Sequence, residues 1–216
     1  MFLCNGSADS LVIAELSNWN AKAIKIPRTE VMRCNRDDIN GAGVYFLFCK
    51  EEGEKNSVYI GESENLKMRL RQHIQENIAD REQFYWHTAV MFTSKALNKA
   101  LIRYLEYRLV EAANEARRYT VLTKNIYSKT IIKESSLAIM EEFLDNIKIL
   151  INALGYKVLE PIASNEEANY GKLYLAVGKI KAQEIVTTEG FVLLKGSQLN
   201  DKTNKSMTAM PEKKPA

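Results

Sequence analysis

Two dense runs of β-forming residues, Gly43-Val-Tyr-Phe-Leu-Phe-Cys49 and Ser57-Val-Tyr-Ile-Gly61, stand either side of a short polar stretch. Such a pair reads as an antiparallel hairpin. The period then changes abruptly. Leu66, Leu70, Ile74 and Ile78 recur every four residues, which predicts an amphipathic helix over about residues 64–79, with Ser63 as N-cap and Glu64 in the first turn. Residues 86–92 form a third β segment. A second helix is expected over about 95–117, with Leu97, Leu101, Leu105, Leu109 and Ala112 inward. A third, very apolar helix is expected over about 136–154, with Gly155 as its natural C-cap. The order β-β-α-β-α predicts an α+β fold, a small central antiparallel sheet flanked by helices.

The flanks are less regular. Residues 1–40 read as a β-rich segment, with apolar pieces at 11–14 and 23–27 and Pro27 ending the second. Residues 36–42 are a polar break, so the main domain is expected over 41–160. Composition shifts near 162, and residues 164–171 read as a linker. A small β-rich module is expected over 161–200, with strands at 173–177 and 191–194. Residues 201–216 lack core formers and read as a disordered tail.

Composition bounds the function classes. With 46% hydrophobic and 26% charged residues among 216, the chain can bury a core, which excludes wholesale disorder. Three cysteines without a CxxC pair, and only two histidines, argue against a zinc site and a disulfide framework. The first residues lack a basic region followed by a long apolar stretch, and no apolar run approaches the ~18 residues of a membrane span. A cytoplasmic protein without a membrane partner is expected. The net charge of +3 permits an anionic partner without demanding one.

Some residues in the middle are odd for a simple core. Tyr45 and Tyr59 lie inside the two strands of the hairpin; each could be a core aromatic whose hydroxyl finds a partner. Arg69 and His73 are four apart and share a helical face, which is also the pattern of a solvated edge. Glu106 is flanked at helical spacing by Ile102, Leu109 and Val110, so its carboxylate points toward the apolar side. A charge there needs either a structural partner such as an arginine or a metal. Two tyrosines, an arginine, a histidine and a carboxylate suit phosphodiester cleavage, which needs a base, a cation for the phosphorane charge, and a Lewis acid. Lys67, Arg71 and Arg103 add basic side chains near that set and suit a phosphate backbone. Glu62, Glu64, Glu76 and Glu111 are interspersed with them, so charge alone marks no binding surface.

The order Gly43-Val44-Tyr45, Tyr59-Ile60-Gly61, then Arg69, resembles the GIY-YIG nuclease superfamily, with Val in place of the first Ile. The resemblance covers roughly residues 41–126. It implies that Tyr45 helps activate the attacking water, that Tyr59 and Arg69 orient and neutralise the scissile phosphate, and that His73 assists Tyr45 or contacts the phosphate. It also implies that Glu106 binds one Mg²⁺ or Mn²⁺, and it matches Asn125 to a late asparagine that would contact substrate. Glu62 is a departure, since some relatives carry lysine there. Residues 14–19 and 190–197 resemble a bacterial subgroup with a small further domain after the nuclease. That domain continues well beyond this point in those relatives, so a truncated or partly unfolded module is expected here. The reading to be tested is a metal-dependent endonuclease acting on nucleic acid, DNA before RNA. A nucleic-acid-binding module of the same fold without strong nuclease activity, and a protein-interaction domain, stay open beside it.

Overall fold

A computed structural model describes residues 1–4, 6–7, 10–49, 56–82, 84–123, 130–161, 172–177, 180–187, 190–194 and 196–198. The chain divides into two units, Met1–Ile162 and Ala163–Ala216. In the first, the strands are β1 (Phe2–Leu3), β2 (Val12–Ala14), β3 (Lys22–Pro27), β4 (Gly43–Cys49), β5 (Ser57–Ser63), β6 (Trp86–Thr93) and β7 (Thr120–Val121). The helices are α1 (Arg28–Val31), α2 (Leu66–Ile78), α3 (Lys99–Ala116) and α4 (Glu134–Ala153). No helix among the described residues is long and apolar enough to cross a membrane.

The expected hairpin is β4–β5, and it lies inside a sheet of order β1-β2-β3-β6-β4-β5-β7. Strands from the first forty residues extend this sheet, because β3 pairs with β6. Every pairing is antiparallel except β5 with β7, so the sheet is mixed. The period-2 alternation of β4 sorts its side chains between two cores. Val44, Phe46 and Phe48 join Leu105, Leu109, Phe143 and Ile147 of α3 and α4. Tyr45, Leu47 and Cys49 join Leu66, Leu70 and Ile74 of α2. Both faces are covered by helices, so all seven residues of β4 are buried. Each of these large apolar side chains contributes about 1.5–3 kcal/mol by burial.

Helix ends fall where local chemistry allows. Ser63 does not cap α2, because it ends β5; its Oγ instead accepts from Asn65 N at 3.0 Å, and Asn65 Oδ1 caps the helix by accepting from Met68 N at 3.0 Å. Asn98 caps α3, accepting from Ala100 N and Leu101 N. Gly155 ends α4 at φ +91°, where Tyr156 N donates to Ile151 O and Gly155 N to Asn152 O, the paired bonds of a Schellman turn.

Gly43 is set by space. A Cβ there would lie 2.2 Å from the Phe92 carbonyl oxygen of β6 and 2.9 Å from Leu66 Cδ1. The backbone contact cannot be relieved by a rotamer change. Gly43→Ala is expected to destabilise by about 1–3 kcal/mol, the usual range for overpacking, and a thermal melt measures it.

The second unit contains β8 (Lys172–Val177), β9 (Ile180–Thr187) and β10 (Gly190–Leu193), an antiparallel sheet of order β10-β9-β8. Two of these strands were expected. The segment of β9 reads as too polar for a strand, with Lys181, Gln183 and Glu184 within four residues. The expected tail 201–216 and linker 164–171 lie outside the described residues.

Candidate active site

Residues 45 and 59 share the α2 face because both sit at odd positions of paired strands, with Tyr45 directly opposite Gly61. A Cβ on Gly61 would lie 2.5 Å from Tyr45 Oη and 2.9 Å from Tyr59 Cε1. Only a bare Cα lets the Tyr45 ring cross the neighbouring strand, which brings the two phenol rings to 6.1 Å in a stacked arrangement.

The helix that follows supplies two partners for the Tyr45 hydroxyl. Arg69 Nε donates to Tyr45 Oη at 3.1 Å. His73, one turn later and 1% exposed, sets Nε2 at 2.8 Å from the same oxygen. Burial pushes the Tyr45 phenol well above its ordinary pKa, and Tyr59 adds to this while Arg69 opposes it. Burial works against the charge of Arg69, but the Tyr45 and Tyr59 oxygens outweigh it and hold the guanidinium firmly protonated. A phenol so placed does not ionise spontaneously at neutral pH; it needs an acceptor, and His73 is in contact with it.

Glu106 reaches the same cleft from the other side of the sheet. α3 packs on the face opposite Tyr45, but it runs beside β5, whose outer edge β7 covers only at Ser57 and Val58. Further along that edge Ile60 N donates to Thr123 Oγ1 at 2.9 Å, and two residues on, the Glu62 N–H donates to the Glu106 carboxylate. Glu106 therefore comes round the sheet edge and lines one cleft with Tyr45, Tyr59 and Arg69. It is 5% exposed, and its Oε2 is buried with no hydrogen-bond partner among the described residues. Burial, then the nearby Glu62 charge, pushes its pKa up to about 7, against the Glu62 N–H, Lys99 and Arg103.

Residues 41–120 match the family model described as the GIY-YIG catalytic domain. This segment is a GIY-YIG domain. No curated protein and no solved structure gave a match to the chain. The GIY-YIG family is one of nucleases, so a hydrolase of phosphodiester bonds is the general class to which the domain belongs.

Nucleases of the GIY-YIG family generally need a divalent metal. The orphaned, buried Oε2 of Glu106 fits that need, since a hard cation takes carboxylate oxygen. The ion pairs of this corner go elsewhere: Glu62, the unexpected residue of the GIY-YIG domain, pairs with Lys99 Nζ at 2.9 Å and Arg103 Nε at 3.8 Å. The arginine partner expected for a structural Glu106 has therefore been taken by its neighbour.

The remaining site candidates separate. Arg71 lines the cleft, and its Nη2 donates to the Met32 carbonyl at 3.1 Å. Lys67 lies on α2 but does not line the cleft, and Arg103 is held beside it through Glu62. Asn125 lies outside the described residues. Three polar residues of the GIY-YIG domain take places that their positions in the sequence do not show: Glu62 and Lys99 on the cleft wall, and Glu82 behind it. Glu82 Oε1 hydrogen-bonds His73 Nδ1. Its signal was faint, because a glutamate in the polar stretch Asp80-Arg81-Glu82 reads as solvated loop.

Proposed function

We propose that the protein is a metal-dependent endonuclease that hydrolyses phosphodiester bonds in DNA, working in the cytoplasm. The observation that carries this reading is one hydroxyl, Tyr45 Oη, held between a fixed cation and an imidazole at a cleft whose far wall carries the buried Glu106, one oxygen of which has no hydrogen-bond partner among the described residues. The three cysteines form no disulfide, which suits a reducing compartment.

A divalent ion held by Glu106 would supply Lewis-acid charge for the leaving oxygen. The chain's own groups do the rest. Tyr45 takes a proton from the attacking water as its own hydroxyl proton passes to His73 Nε2. The water oxygen then bonds to phosphorus while the bond from phosphorus to the leaving oxygen breaks. Arg69 stays charged throughout and faces the phosphate charge that grows in the transition state. Tyr59 orients the phosphate beside it. Arg71, Lys99, Lys67 and Arg103 supply cations for flanking phosphates, contacts that position a backbone and carry no sequence information.

Supercoiled plasmid incubated with the protein and Mg²⁺ or Mn²⁺ is expected to be nicked, and Glu106→Ala is expected not to nick it. DNA binding should fall steeply between ~50 and ~200 mM salt, as it does when phosphate contacts release counterions. Salt-sensitive binding with no metal-dependent cleavage would leave a binding module, and preferential cleavage of RNA would change the substrate.

A further inference from the structure

Behind Tyr45 lies a chain of groups that the cleavage reading uses only in part. His73 touches Tyr45 with one ring nitrogen and Glu82 with the other. The side chain of Glu82 is 8% exposed and pairs with His73, and its Oε2 is buried without a hydrogen-bond partner among the described residues. Glu82 does not line the cleft.

The loop that carries Glu82 is anchored. It leaves α2 through Asp80 at φ +54°, and Arg81 N and Glu82 N both donate to the Glu76 carbonyl. Asn77 Nδ2 donates to the Glu82 and Phe84 carbonyls at 3.2 Å each, while Asn77 Oδ1 accepts from Arg28 Nη2 at 2.9 Å. Arg28 is itself buried, its guanidinium 4.5 Å from the Tyr85 ring centre and 4.9 Å from that of Trp86. Phe84 stacks on Tyr59 at 5.4 Å.

Hydrogen-bond inventory then sets the direction of the chain. An ionised glutamate offers acceptors alone, so His73 Nδ1 carries the hydrogen. The Nε2 of the neutral ring is then a lone pair facing Tyr45 Oη. Arg69 Nε can only donate, so it occupies a lone pair of the phenol oxygen and leaves the phenol hydrogen for His73. Every group has one role, and the proton's exit runs from Tyr45 to His73.

We propose that Glu82 is a positioning residue of this nuclease: it fixes the tautomer of His73 and stabilises the imidazolium formed when Tyr45 gives up its proton. The arrangement is a carboxylate–imidazole–hydroxyl relay in which the hydroxyl belongs to a tyrosine that deprotonates water. The proton moved is the phenol's, from Tyr45 Oη to His73 Nε2; no bond to Glu82 forms or breaks. Among the described residues, the charged and titratable groups around His73 are Tyr45 from β4, Tyr59 from β5, Arg69 and Glu76 from α2, and Glu82. His73, Glu76 and Glu82 bring ligand atoms within 4.8 Å of one another, but Glu76 Oε1 already accepts from Gln72 Nε2 at 2.7 Å, so the hydrogen-bonded relay needs no ion.

The kinetic arm of the test rests on the nuclease reading; the spectroscopic arm does not. Long-range ¹H–¹⁵N NMR of the full chain reads the ring tautomer of both histidines, with exposed His87 as internal reference. His73 is expected as the Nδ1–H tautomer in the wild type, and Glu82→Leu is expected to lose that preference. In plasmid cleavage, Glu82→Gln should lower kcat by about 10–100-fold, the usual cost of losing a partner that orients an imidazole. It should also move the acid limb of kcat to lower pH, because a negative neighbour of the imidazolium is gone. KM should hold, and in a His73→Ala background Glu82→Gln should cost nothing further. An Nε2–H tautomer in the wild type would overturn the proposal, as would a loss of activity matched by a lower melt with an unmoved pH profile. Zn²⁺ shifting the His73 resonances of the wild type but not of Glu82→Gln would make the group a metal site instead. If the wild type does not cleave at all, the tautomer result still stands or falls by itself.

Discussion

Glu106→Gln is expected to lose cleavage by a factor on the order of 10²–10³ while folding at least as well as the wild type. The substitution keeps the size of the side chain, and its amide oxygen can still accept from the Glu62 N–H. It removes an anion whose second oxygen has no hydrogen-bond partner among the described residues. Burial raises the Glu106 pKa from 4.5 to about 7, so the folded state holds this proton more tightly than the unfolded chain does. For a carboxyl raised in this way, stability falls as pH rises from the unfolded value through the folded one, and the full penalty remains above it. Near pH 8 the penalty reaches at most about 3 kcal/mol, and the glutamine variant escapes it. Mg²⁺ or Mn²⁺ should raise the wild-type melting temperature near pH 8, less so below about pH 7 where protons compete. Neither ion should move the melt of the variant. Melting curves with and without metal, beside a nicking assay on the same preparations, make the check. A structural carboxylate paired to a buried arginine would behave oppositely, losing roughly 3–5 kcal/mol on substitution.

Tyr45→Phe is expected to lower kcat by about 10²–10⁴, the range for a positioned group that moves a proton in the transition state. One oxygen atom is removed and the ring stays, so the stacking on Tyr59 and the fit against Gly61 survive. The deletion leaves Arg69 Nε and the buried His73 Nε2 without their shared partner, at a cost of about 1–3 kcal/mol in stability. Single-turnover cleavage separates the two effects, since a melt lowered by this amount still leaves the protein folded at room temperature. A variant with near wild-type kcat would show that water is activated by some other group.

Periodicity was enough for the parts that decide the fold. The runs at 43–49 and 57–61, and the four-residue spacing of Leu66, Leu70 and Ile74, place a hairpin and a helix with one shared face, and the structure has them. Convergence of Tyr45, Tyr59, Arg69 and Glu106 on one cleft was legible as residue types, but its route was not. Helical neighbours show that Glu106 sits near an apolar stripe; they do not show that the helix lies on the far face or that the carboxylate turns round a strand edge. Glu62 looked like a misfit because its partner Lys99 is 37 residues away in sequence. Glu82 was invisible because its burial depends on a left-handed residue and an asparagine that folds the loop back, neither of which leaves a periodic trace. Lys67 and Arg103 show the converse limit: charge on the right helix does not tell which basic side chains line the cleft, and neither of these two does. The parallel pairing of β7 rests on two residues, too few for any pattern.

The edge of β5 has a mechanical consequence. One strand carries Tyr59 and Gly61 toward one layer of the protein and presents the Glu62 N–H outward to a glutamate from the other. The span between the proton-accepting side and the carboxylate side is therefore gauged by a stretch of extended backbone about 3.3 Å per residue long, with no loop in series. Such a gauge is stiff, and it works in whole steps only. A slip of one residue would turn Tyr59 to the wrong layer, bring a side chain against Tyr45 in place of Gly61, and point the Glu62 N–H at β4 rather than at Glu106, all at once. Sequence drift in this strand can alter the side chains that face the cores, but an insertion or deletion between Tyr59 and Glu62 has no intermediate setting in which half of the site survives.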